Sequence, residues 1–531
     1  MRAVPWRSLI GALGWALIAW VLGMPTGALD GQTLLPMRGT GDVTHERDAV
    51  RPTALGSPAG ERPPQPRDTA QGAGAAEEPP IGTAPSFPLP PPYQPLRYDE
   101  DYRYLRDPQR RSDVWDPIKY LPLNAAGDWY ASLGGELRLR YEFFHNPRFG
   151  QDPHDSHGNN NYLLQRYMLH GDLHLGPFVR LFGQLKSGLE HGRIGGPRPA
   201  DEDRLDLHQA FLDVVVPLRA EDALTLRAGR QEMAFGSQRL VSVREGPNVR
   251  QSFDGLRTLL RAEAWRIDAF VTRPVETNRG VFDDNPDPKR TFWGVYAVHP
   301  FGLVPQGHID LYYLGLVRQD ARFDQGIADE RRHSIGLRLW GAPEPWDYNF
   351  EFVYQFGRFG DGDIQAWTAA SDTGYTLSSL PWRPRLGLRA DIASGDRNPA
   401  SRSLQTFNPL FPKGAYFNEA DLIGPANVID LHPTLDLHLG QQLTVGADWD
   451  VFWRESVHDG LYGVAVNLIR SGQTSRARYI GSALSAQVAW AATRHLALVT
   501  AYTHFFPGPF VTETPPGKAV DFVATWISYK F

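Results

Sequence analysis

The chain contains no cysteine among its 531 residues. This absence excludes disulfide bonds, thiolate metal sites and cysteine nucleophiles. Long apolar runs are missing beyond the N-terminus, so a membrane location would depend on strands, because a spanning helix needs about 20 apolar residues. An excess of positive charge is missing too, since the formal net charge is −6. Nucleic-acid binding proteins normally carry a basic field, and we expect no nucleic acid among the partners.

The one long apolar run lies at the start of the chain. Arg2 and Arg7 precede the apolar stretch Leu9–Gly23, and the small residues Thr26–Ala28 follow it. This order is typical of a cleaved export signal, which we assign to residues 1–28. A membrane anchor is the alternative, but the run is shorter than a spanning helix requires.

Two segments of different character follow the signal. Residues 29–95 are rich in proline, glycine and charge, and we predict a disordered linker because such a segment buries too little apolar surface to fold. Its run Pro88–Pro92 could instead serve as an extended ligand for a partner. Residues 96–126 are rich in tyrosine and tryptophan, and we expect them to dock in the periplasm or inside the lumen of a barrel.

The stretch Trp129–Phe144 alternates strictly between apolar and polar residues. Leu137 and Leu139 fall on one side, whereas Arg138 and Arg140 fall on the other. This period of two indicates a β-strand, and its length matches a membrane-spanning strand better than the strands of soluble proteins. A strand of a soluble sandwich is the alternative interpretation.

The same alternation returns along the rest of the chain and predicts eighteen strands. The last candidate strand, Ala519–Phe531, ends on an aromatic residue, which resembles the assembly signal of bacterial outer-membrane barrels. We therefore predict an all-β fold: a single transmembrane antiparallel β-barrel of about 18 strands over residues 127–531, located in the bacterial outer membrane and in contact with its lipid.

The connections between the candidate strands alternate in length. Gly176–Pro177 and Gly440–Gln442 are tight turns, whereas Ala393–Asn427 and Glu455–Arg476 are long. Outer-membrane barrels have short periplasmic turns and longer external loops. With an internal first residue, the long connections become external, and the region near Gly360 is the one exception that we expect.

Two stretches resemble the alginate-export family of outer-membrane porins. The string GRQEMAFGSQRLV, followed by NVRQSFDGLR, lies within Arg227–Arg257. The segment from Arg97 through the first strand resembles the start of the same domain. By this resemblance Arg230 and Gln231 occupy the GRQ positions, and Asp213 matches an acidic residue on the preceding strand.

The resemblance implies an 18-stranded barrel that carries an acidic polysaccharide outward through an arginine-rich pore, without cofactor or metal. Periplasmic proteins of an export machinery are further candidate partners. The alginate porin of that family has a long periplasmic plug before its last two strands and an arginine near the position of His208. Here Ala491–Arg494 is a tight turn, so we expect no gate of that kind. Uptake of small anions is the alternative function.

Charged residues on the lumen side of the predicted strands are the candidate binding residues. A single arginine there can simply pair with an acidic neighbour, but the whole set favours recognition of carboxylates, because guanidinium groups bind them in a planar fork. The alternation and the resemblance together give Arg138, Arg140, Arg180, Lys186, Arg227, Arg230, Arg338, Arg389 and Asp213. For Arg230 the facing stays open, because strict alternation from Leu224 would point it outward unless Gly229 marks a bulge that shifts the parity.

Two other groups of residues invite a metal interpretation. Asp152, His154, Asp155 and His157 cluster in the first long loop, where a solvated loop is the alternative. Asp361 and Asp363 offer too few ligands for a calcium loop. No nucleophile motif is present, and we predict that the protein is not an enzyme, with a barrel hydrolase as the alternative.

Overall fold

The computed structural model describes residues 91–151, 158–219 and 222–531. The predicted signal, nearly all of the predicted linker, and the cluster around His154 and His157 lie outside the described residues. Among the described residues, no helix is both long and apolar enough to cross a membrane.

Eighteen long strands form one antiparallel sheet, numbered here β1 to β18 in chain order. Their bounds are β1 Trp129–His145, β2 Asn159–Leu175, β3 Val179–His191, β4 Asp203–Pro217, β5 Ala223–Gln231, β6 Phe253–Ala262, β7 Trp265–Glu276, β8 Arg290–Pro300, β9 His308–Phe323, β10 Gly326–Gly341, β11 Trp346–Phe359, β12 Gly362–Thr376, β13 Arg385–Ala393, β14 Val428–Leu439, β15 Leu443–Trp453, β16 Tyr479–Ala491, β17 Leu496–Pro507 and β18 Val520–Lys530.

The first and last strands close the sheet into a barrel. β1 and β18 pair in register from Glu136 opposite Lys530 to His145 opposite Asp521. Every other strand pairs with its neighbours in sequence, so no long edge is left with unpaired backbone groups. The predicted fold class and the strand number are confirmed.

The two faces of the wall differ as the alternation predicted. Exposed apolar side chains occupy the outer face of the strands, including Leu169, Leu256, Val271, Ile335, Phe352, Leu386 and Leu484. Exposed tryptophans mark one rim of this surface, namely Trp129, Trp265, Trp346 and Trp490. An apolar outer band with an aromatic girdle is the surface that a lipid bilayer requires.

Short and long connections segregate to opposite ends of the barrel. One end, the turn end, carries the connections 176–178, 218–222, 263–264, 301–307, 342–345, 377–384, 440–442 and 492–495. The other, the loop end, carries 146–158, 192–202, 232–252, 277–289, 324–325, 360–361, 394–427, 454–478 and 508–519. The expected exception near Gly360 is confirmed.

A second exception was not expected. The sequence suggested a loop over 319–331, but β9 and β10 continue beyond a bulge after Arg318 and pair until Phe323 meets Gly326. The charged residues of this hairpin concealed the alternation in the sequence, because both of its faces carry polar groups there.

The remaining elements are short. Before the barrel lie the 3-10 turns Arg97–Asp99, Arg103–Arg106 and Pro108–Arg110, the helix Asp116–Lys119 and the strand Leu121–Pro122, which pairs with β1. Within the connections lie the helical turns Pro147–Gly150 and Pro509–Glu513 and the strands Asn285–Pro286, Leu461–Tyr462 and Leu468–Arg470. The largest apolar cluster joins residues of the long connections to the inner wall near the loop end.

Candidate functional site

Two predicted site residues, Arg138 and Arg140, lie on the inner face of β1. Arg138 is buried, and its Nη1 and Nη2 atoms donate to the carbonyl oxygens of Glu245 and Pro247, both at 2.9 Å. Arg140 donates to Glu142 at 2.6 Å and to Glu419 at 3.0 Å. Both arginines therefore contact long connections that fold into the barrel.

The wall formed by β3, β4 and β5 holds three more predicted residues in acidic pairs. Arg227 donates two parallel hydrogen bonds of 2.7 and 2.8 Å to the two carboxylate oxygens of Asp213. Arg180 donates to Asp172 at 2.7 Å. Such planar pairs give a buried guanidinium two charge-assisted hydrogen bonds in place of those it made to water.

Lys186 and the two arginines on the opposite wall are paired as well. Lys186 Nζ lies 2.7 Å from Asp284 and 2.8 Å from Asp203. Arg338 donates to Asp310 at 2.9 Å and to Asn349 at 2.9 Å, and Arg389 donates to Asp372 at 3.2 Å. The structure thus places these predicted cations in a network with protein acceptors.

Arg230 corrects the sequence-based assignment, because it lies in the wall and does not line the lumen. The strand pairing shows no register shift at Gly229. Leu226 is exposed on the outer face and Arg227 is buried on the inner face, so strict alternation places Arg230 on the outer face with Leu226. The β4–β5 pairing ends at Arg230, and its side chain fills the gap by bonding to Asp254 at 2.8 Å and to the Leu207 carbonyl at 2.9 Å.

Connection 232–252, here called the crossing loop, spans the lumen. Asn248 donates to the Gln165 carbonyl on β2 at 3.0 Å, whereas Ser237 donates to Glu351 on β11 at 2.7 Å. β2 and β11 lie half a ring apart in an 18-stranded barrel, so the loop must pass through the interior. The sequence indicated a long external loop, and loop length alone contains no signal for this inward path.

Arg244 of the crossing loop is a further cation, for which the alternation of the strands gave no signal. Its backbone is left-handed, with φ of 55°, and its side chain is half-buried. Burial lowers the pKa of Arg244, Asp421 partly offsets this, and the nearby Arg290 and Arg198 lower the pKa further. Its Nε atom has no hydrogen-bond partner among the described residues. Strained residues of this kind concentrate at functional sites.

Connection 394–427 also folds inward and packs on the crossing loop. The two segments meet in a bridge between Val241 and Phe411, and the Ser242 amide donates to the Phe411 carbonyl at 3.0 Å. Glu419 from this connection reaches Arg140 on the wall. The interior near the loop end is therefore shaped by two inward segments and the wall.

The N-terminal segment, residues 91–128, enters the lumen from the turn end. Tyr98 packs edge-on against Phe182 and Phe211 and donates to the Glu232 carbonyl at 2.8 Å. Arg250 of the crossing loop in turn donates to the Pro95 carbonyl at 2.9 Å. The N-terminal segment thus contacts the crossing loop directly, deep inside the barrel.

The start of this segment differs slightly from the sequence-based boundary. Tyr93 lies in the part assigned to the linker, yet its ring is buried and its hydroxyl lies 3.2 Å from His495. His495 belongs to the tight turn 492–495 and also lies 2.5 Å from Asp113. This turn has four residues and joins β16 to β17.

Two groups of buried donors inside the described barrel have the composition of a metal site. Asp203, Asp206 and Asp284 form one group, but Lys186 already pairs with two of these carboxylates. Asp430, His432 and Asp450 form the other. In each group two donors share one strand and the third comes from another element, so no spacing in the sequence indicated the full set.

Residues 129–524 match the model of a protein family described as alginate export. No curated protein matches the chain. A BenF-like porin from Pseudomonas fluorescens Pf-5 is similar in structure, with a TM-score of 0.50 and 12% identity over 76% of this chain and 98% of that one.

The outer membrane protein opdK from Pseudomonas aeruginosa is similar to the same degree. Its TM-score is also 0.50, with 12% identity over 75% of this chain and 99% of that one. At this level of identity the likeness extends to the barrel fold.

Proposed function

The chain belongs to the alginate export family, and on this premise we propose that it conducts an acidic exopolysaccharide such as alginate outward across the outer membrane. The protein is an outer-membrane β-barrel of the porin type, and its family and fold are those of transport proteins. The proposal that the substrate is an acidic polysaccharide rests on the path of Arg227–Arg257, the stretch that resembles the alginate-export family. This string forms the end of β5, the crossing loop and the start of β6.

Arg244 is the residue that we propose contacts the polymer inside the lumen. It projects from the crossing loop with a charge that no neighbouring carboxylate neutralises at ion-pair distance within the described residues. A uronate carboxylate would exchange water for this guanidinium. Such a contact at about 4 Å is worth roughly 1–4 kcal/mol between bulk-water and surface-like dielectric constants, which is weak enough for release.

The paired arginines have a second role in this proposal. Arg138 and Arg140 hold the crossing loop and connection 394–427 against the wall. They would thereby position the constriction, by which we mean the narrowed lumen between these two segments and the wall. Passage through such a barrel is passive, and the polymer follows its gradient or the pressure of synthesis. Periplasmic proteins of an export machinery remain candidate partners at the turn end.

Uptake of small anions is the alternative function. The pairing of the lumen arginines with protein acceptors favours it, because a general porin also needs a charged and internally balanced wall. The two functions differ in their response to a polymer. A chain polymer that enters the constriction blocks ion current, whereas a monomer of the same charge passes.

A planar-bilayer recording tests the proposal. We expect anion preference and block by oligouronates in the unaltered protein. Arg244→Gln should weaken both by several fold, and Arg244→Lys should retain both because the charge is kept. Arg358→Gln, at an exposed arginine near the rim of β11, is the matched control and should change neither. Cation preference without any response to oligouronates would contradict the proposal.

A further inference from the structure

Three lumen-facing side chains on β14 and β15 form a compact group of donor atoms. His432 Nδ1 lies 2.6 Å from Asp450 Oδ1 and 3.9 Å from Asp430 Oδ2. One donor atom from each residue lies within 4.8 Å of the others, and none of the three side chains is more than 1% exposed. Because the two strands are adjacent, their alternating inward positions bring these residues together.

The negative charge of this group is poorly compensated. Both carboxylate oxygens of Asp430 lack a hydrogen-bond partner among the described residues. Asp430 also lies directly opposite Asp391 on β13, and like charges in that position are destabilising. Arg239 lies 2.6 Å from Asp391 and neutralises that carboxylate, so its charge is not available to Asp430. A buried carboxylate without a partner points to a cation that the protein atoms do not supply.

The neighbouring positive groups do not fill this role. His432 is shared between Asp450 and Asp448, which lies 3.4 Å from its Nε2 atom. Arg389 lies opposite His432 in the β13–β14 ladder, but its guanidinium is held by Asp372 at 3.2 Å. His432, Arg389 and Arg239 are thus engaged by other carboxylates, and none of them donates a hydrogen bond to Asp430.

We propose that Asp430, His432 and Asp450 bind a divalent transition-metal ion of the zinc type. An imidazole nitrogen combined with carboxylate oxygens suits zinc, whereas calcium and magnesium prefer oxygen ligands throughout. Zinc bonds of about 2.0–2.2 Å in a tetrahedral site place neighbouring donors roughly 3.3 Å apart. The two distances from His432, 2.6 and 3.9 Å, bracket that spacing and need to change by less than about 1 Å, and all three donor atoms lie within 4.8 Å of one another.

Two further residues complete the site. Asn418 of connection 394–427 donates to Asp450 Oδ2 at 2.7 Å and so orients this carboxylate for metal binding. Asp448 is 27% exposed beside His432, which gives an ion a route from the lumen. The ion would thereby tie an inward connection to the wall beside the constriction.

Metal quantification on the full chain in detergent tests the site. The protein is stripped with a chelator, loaded with Zn²⁺ and separated from free ion by gel filtration, and its zinc content is measured by mass spectrometry. Asp430→Asn and His432→Gln should each lose about one ion per chain relative to the unaltered protein. Retention of a folded band in unheated gel samples shows that the barrel of each variant is intact.

Two control variants separate this site from other zinc sites. Asp436→Asn removes another lumen carboxylate of β14 and should keep the ion. The double variant His154→Ala with His157→Ala removes the histidines of the first loop and should keep it as well. Equal zinc content in the unaltered protein and Asp430→Asn would overturn the proposal and leave a proton as the group that holds the cluster together.

A measurement on the unaltered protein keeps the proposal testable if the variants do not fold. A ligand that binds the native state raises the unfolding temperature by mass action. Addition of Zn²⁺ to the stripped protein should raise it with one-site saturation, and the same concentration of Ca²⁺ should not. Absence of a zinc-dependent shift would overturn the proposal.

Discussion

At the scale of single residues, buried ion pairs decide how the wall tolerates charge. Arg227 and Asp213 are 4% and 5% exposed, and the Arg227 guanidinium also lies over the Phe211 ring at 3.8 Å. Removal of either partner would leave the other charge buried without its two-point contact, which costs free energy of folding because both groups are desolvated. The pair therefore stabilises the wall only as long as both members are present.

The first prediction concerns this pair. Arg227→Met should destabilise the barrel by about 3–5 kcal/mol, because buried Asp213 loses both of its short hydrogen bonds and keeps only Arg180, whose Nη1 lies 3.9 Å away. The double variant Arg227→Met with Asp213→Leu should recover most of the loss. Urea unfolding in lipid vesicles, followed by the mobility of unheated samples, gives the free energy of unfolding.

The control for this prediction is an exposed pair. Arg358 and Asp363 are 65% and 67% exposed, and Arg358→Met should cost less than about 1 kcal/mol. A loss for Arg227→Met as small as that of the control would show that Asp213 is hydrated from the lumen.

At the scale of structural elements, the N-terminal segment is tied to the seam that closes the barrel. Arg97 donates to the Phe531 carbonyl at 2.8 Å, and Trp115 stacks on the Phe531 ring with centroids 4.4 Å apart. Lys119 lies among the rings of Tyr93, Tyr102 and Phe531 and has no hydrogen-bond partner among the described residues. The last residue of the chain is thus covered by its N-terminal segment.

The second prediction is that docking of this segment depends on pH through Lys119. Burial, followed by the charge of Arg97, lowers the pKa of Lys119 from its ordinary value of 10.5 to about 7. Between these two values the undocked segment binds more protons, so docking strengthens as pH rises from about 7 toward 10.5. Below about pH 7 Lys119 is protonated in both states, so docking is weakened by the full free energy of burying its charge.

A spin label measures this effect, because the chain has no competing cysteine. Gln109→Cys places the label on the exposed face of the segment. The label should become less mobile between pH 7 and pH 9.5, and Lys119→Met should abolish the change while the segment stays docked. Identical pH profiles with and without Lys119 would refute the assignment.

The third prediction concerns orientation. If the turn end faces the periplasm, then Thr474→Cys in connection 454–478 should react with a membrane-impermeant maleimide on intact cells. Gln441→Cys in the turn 440–442 should react only after lysis. Both positions are exposed, so accessibility depends on the side of the membrane. The reverse pattern would invert the orientation proposed for the barrel.

The elements also differ in how far the sequence predicts them. The long strands followed from alternation, because one lipid-facing and one lumen-facing side chain per pair of residues leaves a period of two. The crossing loop did not, because its inward path depends on contacts such as that between Ser237 and Glu351, which are distant in sequence. The bulge after Arg318 likewise has no local signal.

The candidate site was predictable only in part, for the same physical reason. The inward direction of Arg138, Arg140 and Arg389 follows from the parity of their strands. Their partners could not be predicted, because they come from other strands and from inward connections. Arg244 was missed because it lies on a loop without periodicity.

At the scale of the whole molecule, the barrel is filled from both ends. The N-terminal segment enters at the turn end, and the crossing loop and connection 394–427 fold in at the loop end. Tyr98 and Glu232 join the two sides. A polymer that passes must therefore interact with this interior, so charge in the lumen should decide which polymer is carried.

The fourth prediction is that the barrel transports polyuronates in preference to neutral chains. Lumen cations such as Arg244 attract carboxylates. A neutral polymer loses the same conformational entropy in the lumen, but no charge attraction offsets that loss. Vesicles containing the protein are loaded with a labelled oligouronate and with a neutral glucan of equal length, and efflux of each is measured.

The ratio of the two efflux rates decides whether the barrel exports an acidic polysaccharide. We expect release of the oligouronate several times faster than the glucan, with the difference reduced by Arg244→Gln and retained by Arg244→Lys. Equal release of both polymers, or retention of both while small anions escape, would contradict export of an acidic polysaccharide.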